Sequence, residues 1–411
     1  MKKIPVGITI GLMAITAAVT FIVTSNVTLD MFNQKIKSVN EKQEFYSKLS
    51  EIDTYVRTHY ISEIDESRLI EGMVSGYISG VGDPYAEYIT ADEYARRLSE
   101  QTGVTDGLGF GYEKEKSGYI TVTEVTPGSS AEESGLQAGD VIAAVNNIDV
   151  IAYEGGYDEA VKLFSCAEGT RVRLKVRRAD EDGRSDFIDY DVISQRTERM
   201  TVSGRLIEDI GYVRISSFTD KTEAQLKAKL DELISGGAKG IVFDLRSNTG
   251  GSMESFAASI DHILGAGDIV TAQYKSGNTE IVVSCTEAEK IKMPMSVIIN
   301  QNTKGTAELF ALALRDNAQA HTIGKSTSGM GYLTKAYTCS DGSVLILSEA
   351  VLRTASEEDF NETGIKPEFD VTLPEDTDFS TLSNEAALLM DTQLMKALEV
   401  TVPKEEDMIL P

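Results

Sequence analysis

The chain has 411 residues, 41% hydrophobic and 25% charged, with 65 Asp and Glu against 39 Lys and Arg. A formal net charge of −26 argues against a phosphate-backbone partner, which needs clustered Lys and Arg, so no nucleic acid is expected. The length exceeds one ordinary core and implies two or three domains.

The first residues, "MKKIPVGITIGLMAITAAVTFIVTSN", place two lysines before an apolar run from Ile4 to Val23. Such a run of about 20 residues is what a helix needs to cross a bilayer, and the positive-inside rule keeps Lys2 and Lys3 in the cytoplasm. A cleaved signal peptide is the rival reading, but no small-x-small site follows. Residues 1–24 are therefore expected to be a cytoplasmic stub and transmembrane anchor, with a linker over 25–44 and the bulk outside the cytoplasm. From Phe45 to about Gly80 apolar residues recur at helical spacing: Leu49, Ile52, Val56, then Leu69, Ile70, Met73 and Ile78. "GDPYAEYIT" (82–90) stops that pattern, and "TADEYARRL" starts a short helix with Thr90 as its cap. Residues 45–104 form an N-terminal helical segment on this reading.

From 105 to 195 the period changes to two. "GYITVTEV", "GDVIAAVNNIDV", "GTRVRLKVRR" and "FIDYDVI" read as strands, with "PGSSAEESGL" a turn plus a one-turn helix and "YDEAVKLF" a helix. Over 196–378 strand and helix alternate: "IGYVRISSF", then "TEAQLKAKLDELISGG", then "GIVFDLRSNTGG", "SMESFAASIDHIL", "MSVIIN", "AELFALALRD" and "AHTIG". That order implies an α/β core with parallel strands, α+β overall once the β-rich module is counted. A last helix from "DTQLMKALEV" and a tail fill 379–411.

Several motifs bear on chemistry. "GLGF" (107–110) opens the β-rich module, and its glycines suit a backbone nest for a peptide carboxylate; alone it is better read as a hairpin turn. "GKST" (324–327) is no P-loop, because the required earlier glycine would be Gln319. His59, His262 and His321 lie far apart and outside HExxH, so neither a metal nor another cofactor is expected. Cys166, Cys285 and Cys339 fit no CxxC pattern; a Cys285–Cys339 bridge stays open. "DLRSNTGG" (244–251) ends a buried strand where α/β proteins place ligands, and its glycine pair could aim amides at an oxyanion. "NTKGTAELFALALRD" (302–316) runs a glycine turn into an apolar helix, the kind of entrance at which enzymes seat a nucleophile, yet it holds no serine or cysteine.

Taken together, "GDPYAEY", the run from "GLGF" to "GDVIAAVNN", "IGYVRISSF", "KGIVFDLRSNTGG", "AELFALALRD", "DGSVLILSEA", "GIKPEFDV" and "QLMKAL" resemble the carboxyl-terminal processing peptidases, or tail-specific proteases. The resemblance implies a PDZ domain inserted in a crotonase-like α/β peptidase core, and Ser–Lys dyad chemistry. Carried over residue by residue, the nucleophile's position is Gly305, three residues before Glu308, and the general-base position is Met330 in "TSGMG" (327–331). A supporting Gln is matched by Thr334, and the Asp after the helix is kept as Asp316. Gly250, Gly251 and the Thr306 amide would be the oxyanion donors. Glycine has no side chain to attack with and methionine takes no proton. The expectation is a homologue that binds polypeptide C-termini through Gly107, Leu108, Gly109 and Phe110, or a partner protein, without cutting. It would act alone or in an oligomer with itself or an active homologue. The alternative is an active peptidase with a displaced nucleophile, Thr303 or Thr306.

Overall fold

A computed structural model of the chain describes Thr20, Thr24 and residues 43–402 apart from Phe45, Lys116, Pro127, 180–184, 287–290 and 375–390. Nearly all of the apolar run expected to form the anchor lies outside these residues, and among the described residues no helix is long and apolar enough to cross a membrane. The chain divides into two compact units, residues 1–77 and 78–411.

In the first unit, helix α1 covers 46–59 and α2 begins at Glu66 and runs to Val81. The helical segment expected from Phe45 thus holds two helices before Gly82. The break precedes Asp65, whose carboxylate accepts the Arg68 amide at 3.1 Å as an N-cap does. Arg57 spans the break, pairing with Asp53 at 2.9 Å and Glu66 at 2.5 Å.

The second unit opens with the short strand β1 (Glu87–Ile89) and helix α3 (Ala91–Gln101), capped as expected by Thr90, which accepts from the Glu93 amide at 3.2 Å. The β-rich module follows: β2 (Val104–Gly107), β3 (Phe110–Lys114), β4 (Ile120–Val125), α4 (Ser130–Ser134), β5 (Val141–Val145), β6 (Ile148–Asp149), α5 (Tyr157–Lys162), β7 (Arg171–Ala179), β8 (Ser185–Ile193) and β9 (Gln195–Glu198). Strands β2 and β9 pair antiparallel and bring the two ends of the module together. The main sheet runs β3-β4-β5-β7-β8, so β3 is an edge strand. Along β7 Val172, Leu174 and Val176 point into the core and the residues between them face solvent, which is the period of two that marks the segment in the sequence.

The remaining elements are β10 (Val202–Ile207), β11 (Ile210–Ile215), α6 (Thr222–Ser235), β12 (Gly240–Asp244), α7 (Met253–Asp261), β13 (Gly267–Tyr274), β14 (Thr279–Cys285), β15 (Met295–Ile299), α8 (Thr306–Ala318), β16 (His321–Gly324), β17 (Tyr332–Thr338), β18 (Val344–Arg353), β19 (Phe369–Asp370) and α9 (Thr392–Thr401). The central sheet is ordered β10-β11-β12-β15-β16-β19, parallel except for the β10–β11 pair. Both faces are covered: Val213, Ile241, Phe243, Val297 and Ile299 pack with α6, α7 and α8, while Tyr212, Val242 and Ile298 face α9. Strands covered on both sides read as unbroken apolar runs, as "GIVF" and "SVII" do. Helix α8 is buried on every side from Thr306 to Leu314, which accounts for its apolar run Leu309–Leu314.

A second, antiparallel sheet, β1-β18-β13-β14 with β17 on β18, departs from the expected simple alternation of strand and helix. Cys166, Cys285 and Cys339 are free thiols, so the bridge left open by the sequence is not formed. Burial, and then nearby Asp261, push the Cys285 thiol up to about 11.

Candidate functional site

Helix α8 begins at a turn in which Gly305 takes φ 57° and ψ −119°. Residues with a side chain pay a strain to sit there, and turns that present nucleophiles at strand-to-helix junctions are held in such conformations. Here glycine adopts it freely. The structure brings the two positions assigned to the dyad together: a Cβ at Gly305 would lie 3.7 Å from Met330 Sδ.

What holds them together is Glu308, three residues into α8 from Gly305. It is fully buried, and its carboxylate accepts from the Gly305 amide (2.9 Å), the Thr327 hydroxyl (2.5 Å), the Gly329 amide (2.7 Å) and the Met330 amide (2.8 Å). Burial pushes its pKa above the usual carboxylate range, against the pull of those four hydrogen bonds. The 327–331 turn is gripped from other sides as well. The Tyr85 hydroxyl donates to the Gly329 carbonyl at 2.8 Å, and the Glu362 amide donates to the same oxygen at 2.8 Å. Gly329 has φ 87°, and a Cβ on it would lie 2.7 Å from the Gly364 nitrogen. Asp83, from the "GDPYAEY" turn, accepts from the Ser348 amide and hydroxyl, both at 2.9 Å. Ser348 lies opposite Thr334 on β17 and β18.

The glycine turn after β12 faces the same helix entrance. A Cβ at Gly250 would lie 3.2 Å from both the nitrogen and Oγ1 of Thr306. The Gly250 amide donates to Asn248 Oδ1 at 2.8 Å, within its own turn. Phe218 straps the turn in place: its amide donates to the Gly250 carbonyl (3.0 Å) and its carbonyl accepts from Ser252 (2.9 Å). The Gly251 amide takes part in neither bond. The Thr306 amide heads α8, where helix N–H groups have no intrahelical partner.

Other expected residues are placed elsewhere. Asp316 lies ten residues along α8 from Thr306, about 15 Å at 1.5 Å per residue. Its carboxyl accepts from the Thr354 hydroxyl (2.5 Å) and the Ser356 amide (3.1 Å), and these bonds hold its pKa down although burial opposes them. It belongs to the far end of the helix and not to the Gly305–Met330 site. Thr303 is fully buried; its hydroxyl donates to the Leu245 carbonyl (2.9 Å) and accepts from the Asn300 amide (3.0 Å). Lys325 pairs with Asp370 at 2.5 Å. Among the described residues no group of three His, Cys, Asp or Glu side chains could hold a metal ion.

In the β-rich module, the Leu108 carbonyl accepts from Ala131 (3.2 Å) and the Gly109 carbonyl from Thr126 (2.9 Å) and the Ser129 hydroxyl (3.0 Å). In a trans peptide the N–H points opposite to its own carbonyl, so the amides of Gly109 and Phe110 point outward, as an anion nest requires. Gly109 has φ 85°, and a Cβ on it would lie 2.2 Å from Ser129 Cβ. Leu108 is a core residue, and Gly107 closes β2 beside the Phe164 carbonyl. The Phe110 ring meets Phe164 at 5.1 Å between centroids, and Tyr112 meets Phe164 at 5.1 Å, so aromatic rings line the side of edge strand β3 that faces the end of α5.

Comparison with known proteins places these features in a family. Residues 209–371 match the model for peptidase family S41, residues 121–178 a PDZ domain, and residues 8–93 the N-terminal domain of the activating protease CtpB. The carboxy-terminal processing protease CtpA of Bacillus subtilis (strain 168) is 31% identical over 363 residues, covering 88% of this chain and 75% of the relative. The "Probable CtpA-like serine protease" of Staphylococcus aureus (strain COL) is 28% identical over 384 residues, 92% of this chain and 74% of that protein. A Bacteroides fragilis structure assigned to the S41 proteases shares the fold, with a TM-score of 0.53 at 19% identity over 80% of this chain and 92% of that one. With its mixed α/β core and its PDZ domain, the chain belongs to the carboxy-terminal processing protease family.

Proposed function

We propose that this chain is a family member that binds polypeptide C-termini through its PDZ domain and does not cut them. The observation that carries the proposal is the pair Gly305 and Met330: they stand face to face where the dyad is expected, and neither supplies a nucleophile or a base. The displaced-nucleophile alternative finds less support, since Thr303 has its hydroxyl tied into the fold and, among the described residues, no basic side chain is bonded to Thr306.

We further propose that the Ile4–Val23 run anchors the chain in the cell membrane, with the N-terminus cytoplasmic and residues after it outside. A protein partner, a second copy or an active homologue, would find exposed apolar side chains on α1, among them Ile52 and Tyr55, and on α2, among them Ile70.

Titration calorimetry with one peptide in free-acid and amidated forms tests the binding role. The acid form should bind and be recovered uncut, and amidation should remove most of the affinity, because the outward amides of Gly109 and Phe110 lose their anion. Equal affinity of the two forms would refute the groove.

A further inference from the structure

Strand β5 of the PDZ domain changes partner halfway along. Its first residues pair with β4, Ile142 with Ile120 and Val141 with Thr121, and its last with β6, Ala144 with Asp149 and Val145 with Ile148. Between them Ala143 is an extra residue against β7, where the register steps from Ile142 with Val176 to Ala144 with Lys175. Such a bulge bends its strand and sharpens the local twist. The outer face of the sheet, across from the core that holds Ile142, Leu174 and Val176, has a hollow of about 400 Å³ there. Val141 and Ala143 give it small apolar surface, and Tyr119 and Phe187 give it aromatic rings. None of Gly107 to Phe110, Tyr112 or Phe164 lines it, so it is separate from the C-terminal nest.

The cations of this face are unevenly matched. Along β7, Arg171 and Arg173 share Asp191 at 3.6 and 2.8 Å. Lys175 and Arg177, which line the hollow, are differently placed. Lys175 stands opposite Asp189 on β8, yet its ammonium lies over the Phe187 ring, 5.2 Å from the centre, and among the described residues it makes no ion pair. Arg177 meets Glu115 at 3.8 Å, beyond hydrogen-bond reach. Phe187 beside them is 59% exposed.

We propose that this hollow is a second polypeptide site, which takes an internal segment carrying a carboxylate side chain beside apolar ones. The guanidinium fork of Arg177 and the ammonium of Lys175 suit the carboxylate. The Phe187 ring and the small surface of Val141 and Ala143 suit its apolar neighbours. The charge pattern favours a polypeptide over an anionic membrane surface. Asp149 and Asp189 line the same hollow, and the whole chain carries a net charge of −26. An extended anionic surface would meet those carboxylates as well, whereas one acidic side chain need meet only the two cations.

The test uses the full chain in detergent and a 12-residue peptide in which Gly and Ser flank one Glu-Leu-Phe run. The peptide is acetylated and amidated, so it offers the nest no terminal carboxylate, and the hollow is tested apart from the C-terminal binding role. The Ala143 methyl resonance, assigned with Ala143→Gly, reports the hollow. The peptide should shift it saturably. Gln in place of the peptide's Glu should raise the half-saturating concentration about tenfold or more, the loss expected for one charge-assisted pair. Arg177→Met should do the same, and Arg177→Lys, which keeps the charge and loses the fork, should fall between. Far-UV circular dichroism checks that each variant is folded, and each should bind a free-acid peptide without acidic side chains as the wild type does. No saturable shift of the Ala143 methyl, equal affinity for the Glu and Gln peptides, or full affinity in Arg177→Met overturns the proposal. So does a methyl that responds to phosphatidylglycerol mixed into the micelle and not to peptide, which would make the hollow a lipid site.

Discussion

Replacing Glu308 by alanine is the most informative single perturbation of the site. It withdraws the acceptor of four hydrogen bonds, from Gly305, Thr327, Gly329 and Met330. The Gly305 and Met330 amides sit at half-buried positions that water can reach. The bonds from the Thr327 hydroxyl and the Gly329 amide are buried and lose their partner outright. At ~1–3 kcal/mol for each buried group left unpaired, less what is regained by no longer burying a carboxylate, the net loss should be about 2–4 kcal/mol. Urea unfolding followed by far-UV circular dichroism measures it, since the chain has no tryptophan. Thr327→Val should cost at least about 1 kcal/mol less in the Glu308→Ala background than alone, because the two share a bond. The pH dependence has a definite sign. Burial raises the folded pKa of Glu308 above its ordinary 4.5, so its contribution is fully present below that value and is lost as pH rises through the folded pKa. Within that window acidification should stabilise the wild type relative to Glu308→Ala. A loss under about 1 kcal/mol, or strict additivity with Thr327→Val, would refute the clamp.

Three further outcomes follow from the geometry. Gly109→Ala forces a Cβ to 2.2 Å from Ser129 Cβ at φ 85°; it should cost ~1–3 kcal/mol in urea unfolding and weaken binding of the free-acid peptide about tenfold or more. Arg246→Met strands the buried carboxylates of Asp244 and Asp391, which Arg246 meets at 2.6 and 2.7 Å, and should cost about 3–5 kcal/mol, with hydrogen exchange in α9 accelerating first. A C-terminal tag should be removed by protease added to intact cells or protoplasts if Ile4–Val23 is an anchor with the lysines inside; protection of the tag would reverse the orientation.

Much of the fold could be read from residues alone, for identifiable reasons. The strands of the PDZ domain alternate cleanly because one face is buried, and the central strands read as continuous apolar runs because both faces are. The β13–β14 and β17–β18 hairpins are not legible in the sequence. Residues 335–338 of β17 are all exposed, and β14 begins with three exposed residues, so neither shows a clear period. At the site, the glycine turn and the residues at the proposed dyad positions, Gly305 and Met330, are legible in the local sequence. The clamp is not, because Glu308 collects three of its four donors from 327–330, across a strand and a turn. Its spacing of three from Gly305 was the one available signal, that of a capping carboxylate. Asp316 shows the converse: ten residues of helix already implied its distance from Gly305. Arg246 and Asp391, fully buried against each other, lie too far apart in the chain for any pattern to pair them.

Whether the unmodified chain cuts is the direct test of the central claim. The purified protein should be incubated with unfolded protein and free C-terminal peptides, beside an active relative as positive control, and exposed to a fluorophosphonate probe. The account predicts no hydrolysis above background and no labelling, because Gly305 offers no hydroxyl and Met330 no base. Clear turnover that is abolished by Thr303→Ala or Thr306→Ala, and absent from mock-purified controls, would contradict it and establish a displaced nucleophile.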